Sequence, residues 1–248
     1  MQSTTKCTLH KYLTIIPGDR SDYEHLGRFH YCGPSCGPIR QIYKLIDDHL
    51  WRGLRAPVVG VIVYGAPSAN LAARNRATGG MFAGLDRAAA LALLNERLLC
   101  IRRVIIEPRY RGLGLARWLV RETLPLTGSP MVEAVSMMGR SHPFLKQAGM
   151  NEYPTPPDAK TERMKTALGA AGLGGAAEQD SVSVHAAIER LRPDLRAFVQ
   201  EEMARFCQKF TSRRNEAHSP ERTDFVLSKL IHRPAYYLWT RPQETARP

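Results

Sequence analysis

The stretch from Leu98 to Leu124 constrains this chain more than any other. Residues 98–106 (LLCIRRVII) are apolar and rich in β-branched side chains, and they predict a strand. A turn follows from Glu107 to Gly112. From Leu113 to about Leu124, Leu115, Trp118, Leu119 and Thr123 fall near helical spacing. Gly112 and Gly114 therefore stand where the chain enters a helix. Glycine lets backbone N–H groups approach an anion with no side chain in the way. The first turn of a helix adds unpaired N–H groups and the positive end of the dipole. Together they make an anion site suited to a pyrophosphate, with Arg109 and Arg111 supplying charge beside it. This is not a Walker loop, since no Gly-Lys-Ser/Thr follows. It also lacks the three-glycine spacing of a dinucleotide fingerprint. The plain alternative is a helix-start turn that holds no ligand.

The elements around this segment predict a mixed α/β sheet with helices on its faces. Residues 7–16 read as a strand closed by Pro17-Gly18, and 19–31 as a helix capped by Asp19 or Ser21. Residues 32–38 (CGPSCGP) break regular structure. The runs 40–47 and 57–64 read as a hairpin with a long loop, 65–80 as a loop, and 85–96 as an Ala/Leu helix. Residues 131–137 form a strand. A short helix follows over 142–148, with Pro143 in its first turn and Gly149 ending it, and then a strand over 150–153. From Pro154 to Ser181, Pro, Ala and Gly dominate, which predicts a linker or flexible loop, with a short helix as the alternative. Helical periodicity returns over 183–211, divided at Pro193, and again over 221–232. The segment 235–240 (AYYLWT) reads as a last strand.

Length and composition fit one large domain, or one domain with a helical appendage: 248 residues, 44% of them hydrophobic and 23% charged. No run of 18 apolar residues occurs, and the first residues lack a signal-peptide pattern. The five cysteines, Cys7, Cys32, Cys36, Cys100 and Cys207, are odd in number and scattered, as reduced thiols are. These readings predict a cytoplasmic protein with no membrane partner. The net charge of +12 and pI near 9.8 favour anionic partners, whether nucleic acid, lipid or a phosphate-rich cofactor. An ordinary basic surface is the alternative.

Arg109-x-x-Gly112-x-Gly114 resembles the Arg/Gln-x-x-Gly-x-Gly/Ala signature of the GNAT acyltransferases. The context matches too. The signature follows the strand Arg103-Val104-Ile105-Ile106-Glu107-Pro108 and opens a helix. Farther on, Phe144-Leu145-Lys146-Gln147-Ala148-Gly149-Met150 is similar to the family's late helix ending in Gly-Phe. The resemblance covers 97–153 clearly and extends to 7–153. It implies a GNAT-like core over 1–153 and an acyl-CoA cofactor such as acetyl-CoA. Val104, Ile105 and Ile106 would lie along the pantetheine arm. The loop Arg109, Tyr110, Arg111, Gly112, Leu113, Gly114, Leu115 and Ala116 would hold the phosphates. The implied reaction is direct acyl transfer to an amine, which needs a base and an oxyanion stabiliser. Beyond the core we expect a linker over 154–182, a helical insertion or cap over 183–232, and a return over 233–248 as the final strand and a loose tail.

One departure matters. Many family members carry a tyrosine on the late helix that protonates the leaving thiolate, and alignment on Gly149-Met150 puts Leu145 there, beside Phe144. Other groups must then move protons. Glu133 is a candidate base on the strand after the loop helix, His142 begins the late helix, and His30 and Tyr31 precede the Gly/Pro break. Each has an ordinary structural role as its alternative. His30, Cys32 and Cys36 lack a fourth ligand and the usual spacing, so no metal site is assigned. Arg74, Arg76, Arg213 and Arg214 are the nucleic-acid candidates. The basic residues at 190–209 interleave with Glu189, Asp194, Glu201 and Glu202, as on a solvated helix face. The expected function is an N-acyltransferase acting on a polyanionic acceptor such as a DNA or RNA base, as in GNAT-like proteins of the phage Mom type. The alternatives are a conventional small-molecule or protein acetyltransferase, and a non-catalytic acyl-CoA- or partner-binding module, with an ABC-type ATPase as a conceivable partner.

Overall fold

Leu98–Ile106 (β4) is the strand around which a mixed sheet is built. The computed structural model describes residues 11–30, 36–49, 57–137, 139, 142–153, 158–208, 210, 218–231 and 234–242. They divide into two compact units, Met1–Pro154 with Ala235–Pro248, and Thr155–Pro234.

The first unit carries the sheet. Its strands are β1 (Leu13–Pro17), β2 (Ile39–Asp47), β3 (Val58–Gly65), β4, β5 (Met131–Ser136), β6 (Asn151–Tyr153) and β7 (Ala235–Thr240). Their order across the sheet is β1-β2-β3-β4-β5-β7-β6. Every neighbouring pair is antiparallel except β4 and β5, which run parallel. The helices are α1 (Arg20–Gly27), α2 (Ala72–Ala77), α3 (Arg87–Arg97), α4 (Leu115–Thr123) and α5 (Phe144–Gln147).

Side-chain alternation sets the layers. Leu99, Ile101, Val132, Ala134 and Tyr237 pack with Leu115 and Leu119 of α4 and with Leu145 of α5. On the other face, Leu98, Met131, Tyr236 and Leu238 meet Ala73 of α2 and Leu94 of α3, and Val61, Val63 and Ile105 meet Tyr23 and Leu26 of α1. A bulge reconciles the two halves of β4. The register with β3 steps from Val63↔Arg103 to Tyr64↔Ile101, so Arg102 is an extra residue. Strict alternation from Leu99 and Ile101 would give the α4 face to Arg103 and Ile105. The extra residue gives it to Val104 and Ile106 instead.

Local chemistry explains most boundaries. Asp19 caps α1, accepting from the Ser21 and Asp22 amides, while the Asp22 carboxylate accepts from the Asp19 amide. The helix ends at Gly27, short of the predicted 31. Residues 65–80, expected as a loop, contain α2. Five of the six residues of its AARNRA segment are good helix formers, a signal outweighed in the sequence by Asn75 and the Gly and Asn on either side. The predicted strand over 7–16 is described only from Leu13, because residues 1–10 lie outside the described set.

The second unit is helical: α6 (Ala159–Ala170), α7 (Ser181–Glu189), α8 (Pro193–Cys207) and α9 (Pro220–Ile231). Helix α6 fills twelve residues of the span read as a linker with a short helix as the alternative. Asp158 caps it by accepting from the Thr161 amide at 2.9 Å, and Met164, Ala167 and Leu168 bury one face. Pro193 opens α8, where its missing N–H costs nothing. Val184, Ile188, Val199, Met203, Phe206, Val226 and Leu230 complete this unit's core. Among the described residues, no helix of either unit is long and apolar enough to cross a membrane.

Glu202 is buried in the second unit beneath two arginines. Arg163 meets it with two bonds of 2.6 and 2.7 Å, and Arg205 with one more. The Arg163 bond, chiefly, holds the Glu202 carboxyl below the ordinary glutamate value of 4.5. A carboxyl lowered in this way stabilises the fold above its unfolded value, and that contribution disappears as pH falls through the folded one. Glu202→Gln should therefore be less stable than the parent near neutral pH. The gap between the two should close as pH falls below 4.5, read by far-UV circular dichroism. A gap that is constant with pH would rule out the ion pairs as its source.

Candidate functional site

The loop between β4 and α4 is built as the sequence predicts. Gly112 has φ +81° and Gly114 φ +74°, both in the left-handed region that glycine enters without strain. A Cβ at either position would meet nothing within 4 Å, so the space over the loop is open. Gly114 is the N-cap of α4, and no side chain caps that end. The first N–H groups of a nine-residue helix are thus left for an outside acceptor. Residues 111–114 are exposed, while the side chain of Leu115 is buried in the core and contributes only its amide. Ala116 is half-buried.

Three side chains hold the loop in place. Tyr110 turns inward, and its buried hydroxyl donates to Asp47 Oδ2 at 2.7 Å across to β2. Glu107 accepts from the Arg109 amide at 2.9 Å and pairs with the Arg109 guanidinium at 2.8 Å. Arg111 donates to the carbonyls of Ile106 and Phe29, each at 3.1 Å, and so ties the loop to the end of β4 and to the segment after α1. Tyr110 and Arg111 therefore act as anchors, with Arg109 the more exposed cation of the loop. Tyr110→Phe removes a bond to a buried carboxylate, which should cost about 1.5–3 kcal/mol in urea unfolding. A loss under about 0.5 kcal/mol would mean that the anchor contributes no more than an ordinary surface contact.

Beside the loop, the sheet opens. The β4–β5 pairing runs from Leu98↔Met131 to Ile101↔Ala134 and stops where the bulge begins. Residues 102–106 of β4 continue against β3 alone, while β5 continues against β7. The edge of 102–106 that faces away from β3 has no strand partner among the described residues. Val104 is half-buried on the α4 side of this segment. The side chain of Ile105 points to the opposite face, against α1, so Ile105 can offer backbone only. Ile106 is likewise packed into the core.

Glu133 is placed differently from the base expected of it. It is 1% exposed and faces α2, where Arg74, also 1% exposed, grips it with bonds of 2.9 and 2.7 Å. The Tyr236 hydroxyl donates to the same carboxylate at 3.0 Å. Arg74 also donates to the Ser68 and Ala69 carbonyls. Both assignments are therefore corrected: a carboxylate sealed in the core and held by three bonds from Arg74 and Tyr236 is not open to an acceptor, and a guanidinium sealed in the core cannot meet a phosphate backbone. Next to this pair, burial and the Glu133 charge push the Cys100 thiol up to about 12, so it remains an inert thiol. The same two causes push the Tyr236 phenol up as well.

The other candidates are scattered. His142 is exposed just before α5, and its carbonyl accepts from the Phe144 amide. His30 is half-buried after α1, and Arg76 is exposed on α2. Tyr31, Arg213 and Arg214 lie outside the described residues. Leu145 is a core residue, and Phe144 packs against the same cluster, so the late helix presents no proton donor at those positions. In the helical unit, Arg192 pairs with Asp194, Arg196 with Glu189, and Arg205 with Glu201 and Glu202, as on a solvated face. Sequence reasoning missed Asp47 as the partner of Tyr110, and Tyr236 as the partner of Glu133. Their positions on strands beside the site are visible in the sequence, but only strand pairing brings them together.

Among solved structures, the chain is similar to a GNAT family N-acetyltransferase (YhbS) from Escherichia coli in complex with CoA, with TM-score 0.36, 15% identity, and coverage of 56% of this chain and 69% of that one. It is similar also to Arabidopsis thaliana NAA60 in complex with acetyl-CoA, with TM-score 0.37, 13% identity, and coverage of 56% and 86%. A spermidine N-acetyltransferase SpeG chimera from Vibrio cholerae and hSSAT gives TM-score 0.35, 14% identity, and coverage of 58% and 83%. No family model and no curated protein matches the sequence. The first unit has the mixed sheet, glycine loop and following helix that the GNAT resemblance implies.

Proposed function

We propose that the first unit is an acyl-CoA-dependent N-acyltransferase. The observation that carries this reading is the α4 entrance. Two left-handed glycines, an uncapped helix N-terminus and open space above them adjoin a strand segment freed from β5. The pyrophosphate would sit on the amides from Gly112 to Ala116, with Arg109 beside it. The pantetheine arm would run along residues 102–106 as an added strand-like partner, on the side of Val104.

The acceptor amine attacks the thioester carbonyl, and the tetrahedral intermediate collapses with loss of the CoA thiolate. One proton leaves the amine and one is taken up by the thiolate. Backbone N–H groups at the bulge near Arg102 can stabilise the oxyanion. His142 and His30 are our candidates for the proton transfers, with Tyr31 as a third. With +12 net charge, the acceptor we favour is an amine on a polyanion, a nucleobase of DNA or RNA. Arg76 is the exposed cation we assign to that contact.

Calorimetric titration with acetyl-CoA and with CoA tests the cofactor assignment. Saturable binding of both supports it, and binding of neither overturns it. Incubation with acetyl-CoA and duplex DNA, tRNA or a polyamine then separates the acceptors. Acyl transfer to the polyamine alone would remove the nucleic-acid reading and leave the acyltransferase one intact.

A further inference from the structure

In the helical unit, two histidines and a glutamate converge. His185 and Glu189 stand one turn apart on α7, so they share a face. His218 comes from the segment just before α9 and stacks on His185 with ring centroids 4.7 Å apart. One donor atom from each of the three lies within 4.8 Å of the other two.

We propose that His185, Glu189 and His218 bind a divalent transition cation of the zinc type. Four observations lead there. His218 Nε2 lies 3.3 Å from Glu189 Oε1. Two donors bound tetrahedrally to zinc at about 2.0–2.1 Å sit ~3.3 Å apart, so this edge of the site is already at metal-binding distance. Both ring nitrogens of His218 are buried, and neither makes a hydrogen bond of acceptable geometry. Buried polar atoms in that state call for a partner.

The third observation is the orientation of His185. Its Nδ1 lies 3.0 Å from Thr223 Oγ1, and that hydroxyl donates its own hydrogen to the Ser219 carbonyl at 3.1 Å. The Thr223 oxygen can then only accept, which puts the imidazole hydrogen on Nδ1 and leaves the Nε2 lone pair for a ligand. A ligating histidine is commonly oriented in this way by an acceptor on its other ring nitrogen. Fourth, Glu189 is half exposed, so a cation has a way in, and three protein donors leave a coordination position open. The opposing charges are Arg196, 3.5 Å from Glu189, and Arg222, near His218. Gln200 also donates to Glu189 at 3.1 Å, so a bound cation would take over a carboxylate now shared with these groups.

The test strips the full-length protein with a chelator and titrates it with Zn²⁺, and separately with Co²⁺, whose visible absorption reports low coordination number. We expect one high-affinity equivalent. Affinity should fall at least about a hundredfold in His218→Ala and in Glu189→Gln, which leaves the helix intact, and by about 10–100-fold in Thr223→Val. Circular dichroism confirms that each variant is folded. A parent protein that binds neither ion overturns the site. So does zinc retained by all three variants and lost in Cys36→Ser, which would place the metal among the cysteines.

Discussion

Gly112→Asp is expected to lower CoA affinity by a hundredfold or more while the first unit stays folded. Two effects combine. Aspartate must adopt the φ of +81° that glycine accepts freely, at a cost of about 1–2 kcal/mol. It also sets a carboxylate against the pyrophosphate, and like charges in contact cost several kcal/mol, where each 1.4 kcal/mol is about tenfold in affinity. Gly112→Ala separates the two, since it carries the backbone strain without the charge. It should lose about 1 kcal/mol of stability and much less affinity. No clash confuses the comparison, because a Cβ at this position meets nothing within 4 Å. A folded Gly112→Asp protein that binds CoA like the parent would sink the cofactor assignment.

Arg74→Met should destabilise the first unit by about 3–5 kcal/mol, because it strands the Glu133 carboxylate in the core. Both partners are 1% exposed, so water cannot easily replace the guanidinium. The double variant Arg74→Met, Glu133→Met should recover most of the loss, since no charge then remains buried. Urea unfolding followed by tryptophan fluorescence isolates the right unit: the chain's three tryptophans, Trp51, Trp118 and Trp239, all belong to the first. A single variant that loses less than about 1 kcal/mol would show that the pair is hydrated rather than sealed.

These two sites mark how far the sequence could be read. The 98–124 segment was legible because its signals are local: a β-branched run, glycines at a helix entrance, and apolar residues at helical spacing. The glycines at the helix entrance and the boundaries of β4 follow from those residues alone. The role of Glu133 was not legible. Its neighbour Arg74 is far off in sequence on a six-residue helix, and only the meeting of α2 with β5 and β7 makes them a pair. A lone glutamate on a strand reads as easily as a base. Helix α6 was legible only as the short-helix alternative, for another reason. Flanking Pro and Gly set the composition of 154–182, while the helix formers between them carried the local signal. The i, i+4 spacing of His185 and Glu189 was visible in the sequence, but His218 joins them only through the packing of α7 and α9.

Strand β7 has a consequence for how the first unit is made. It lies between β5 and β6 and is the sole described partner of β6. On a ribosome, β1 to β6 emerge first, yet the sheet cannot be completed until all of Thr155–Pro234 has followed. At about 5–20 residues per second, the nascent chain waits several seconds with an open edge at β5 and an unpaired β6. Such edges invite pairing with other chains. The helical unit has no such gap in its sequence, and it can pack its own core during that interval. The order of synthesis thus has the inserted unit folding before the unit into which it is inserted.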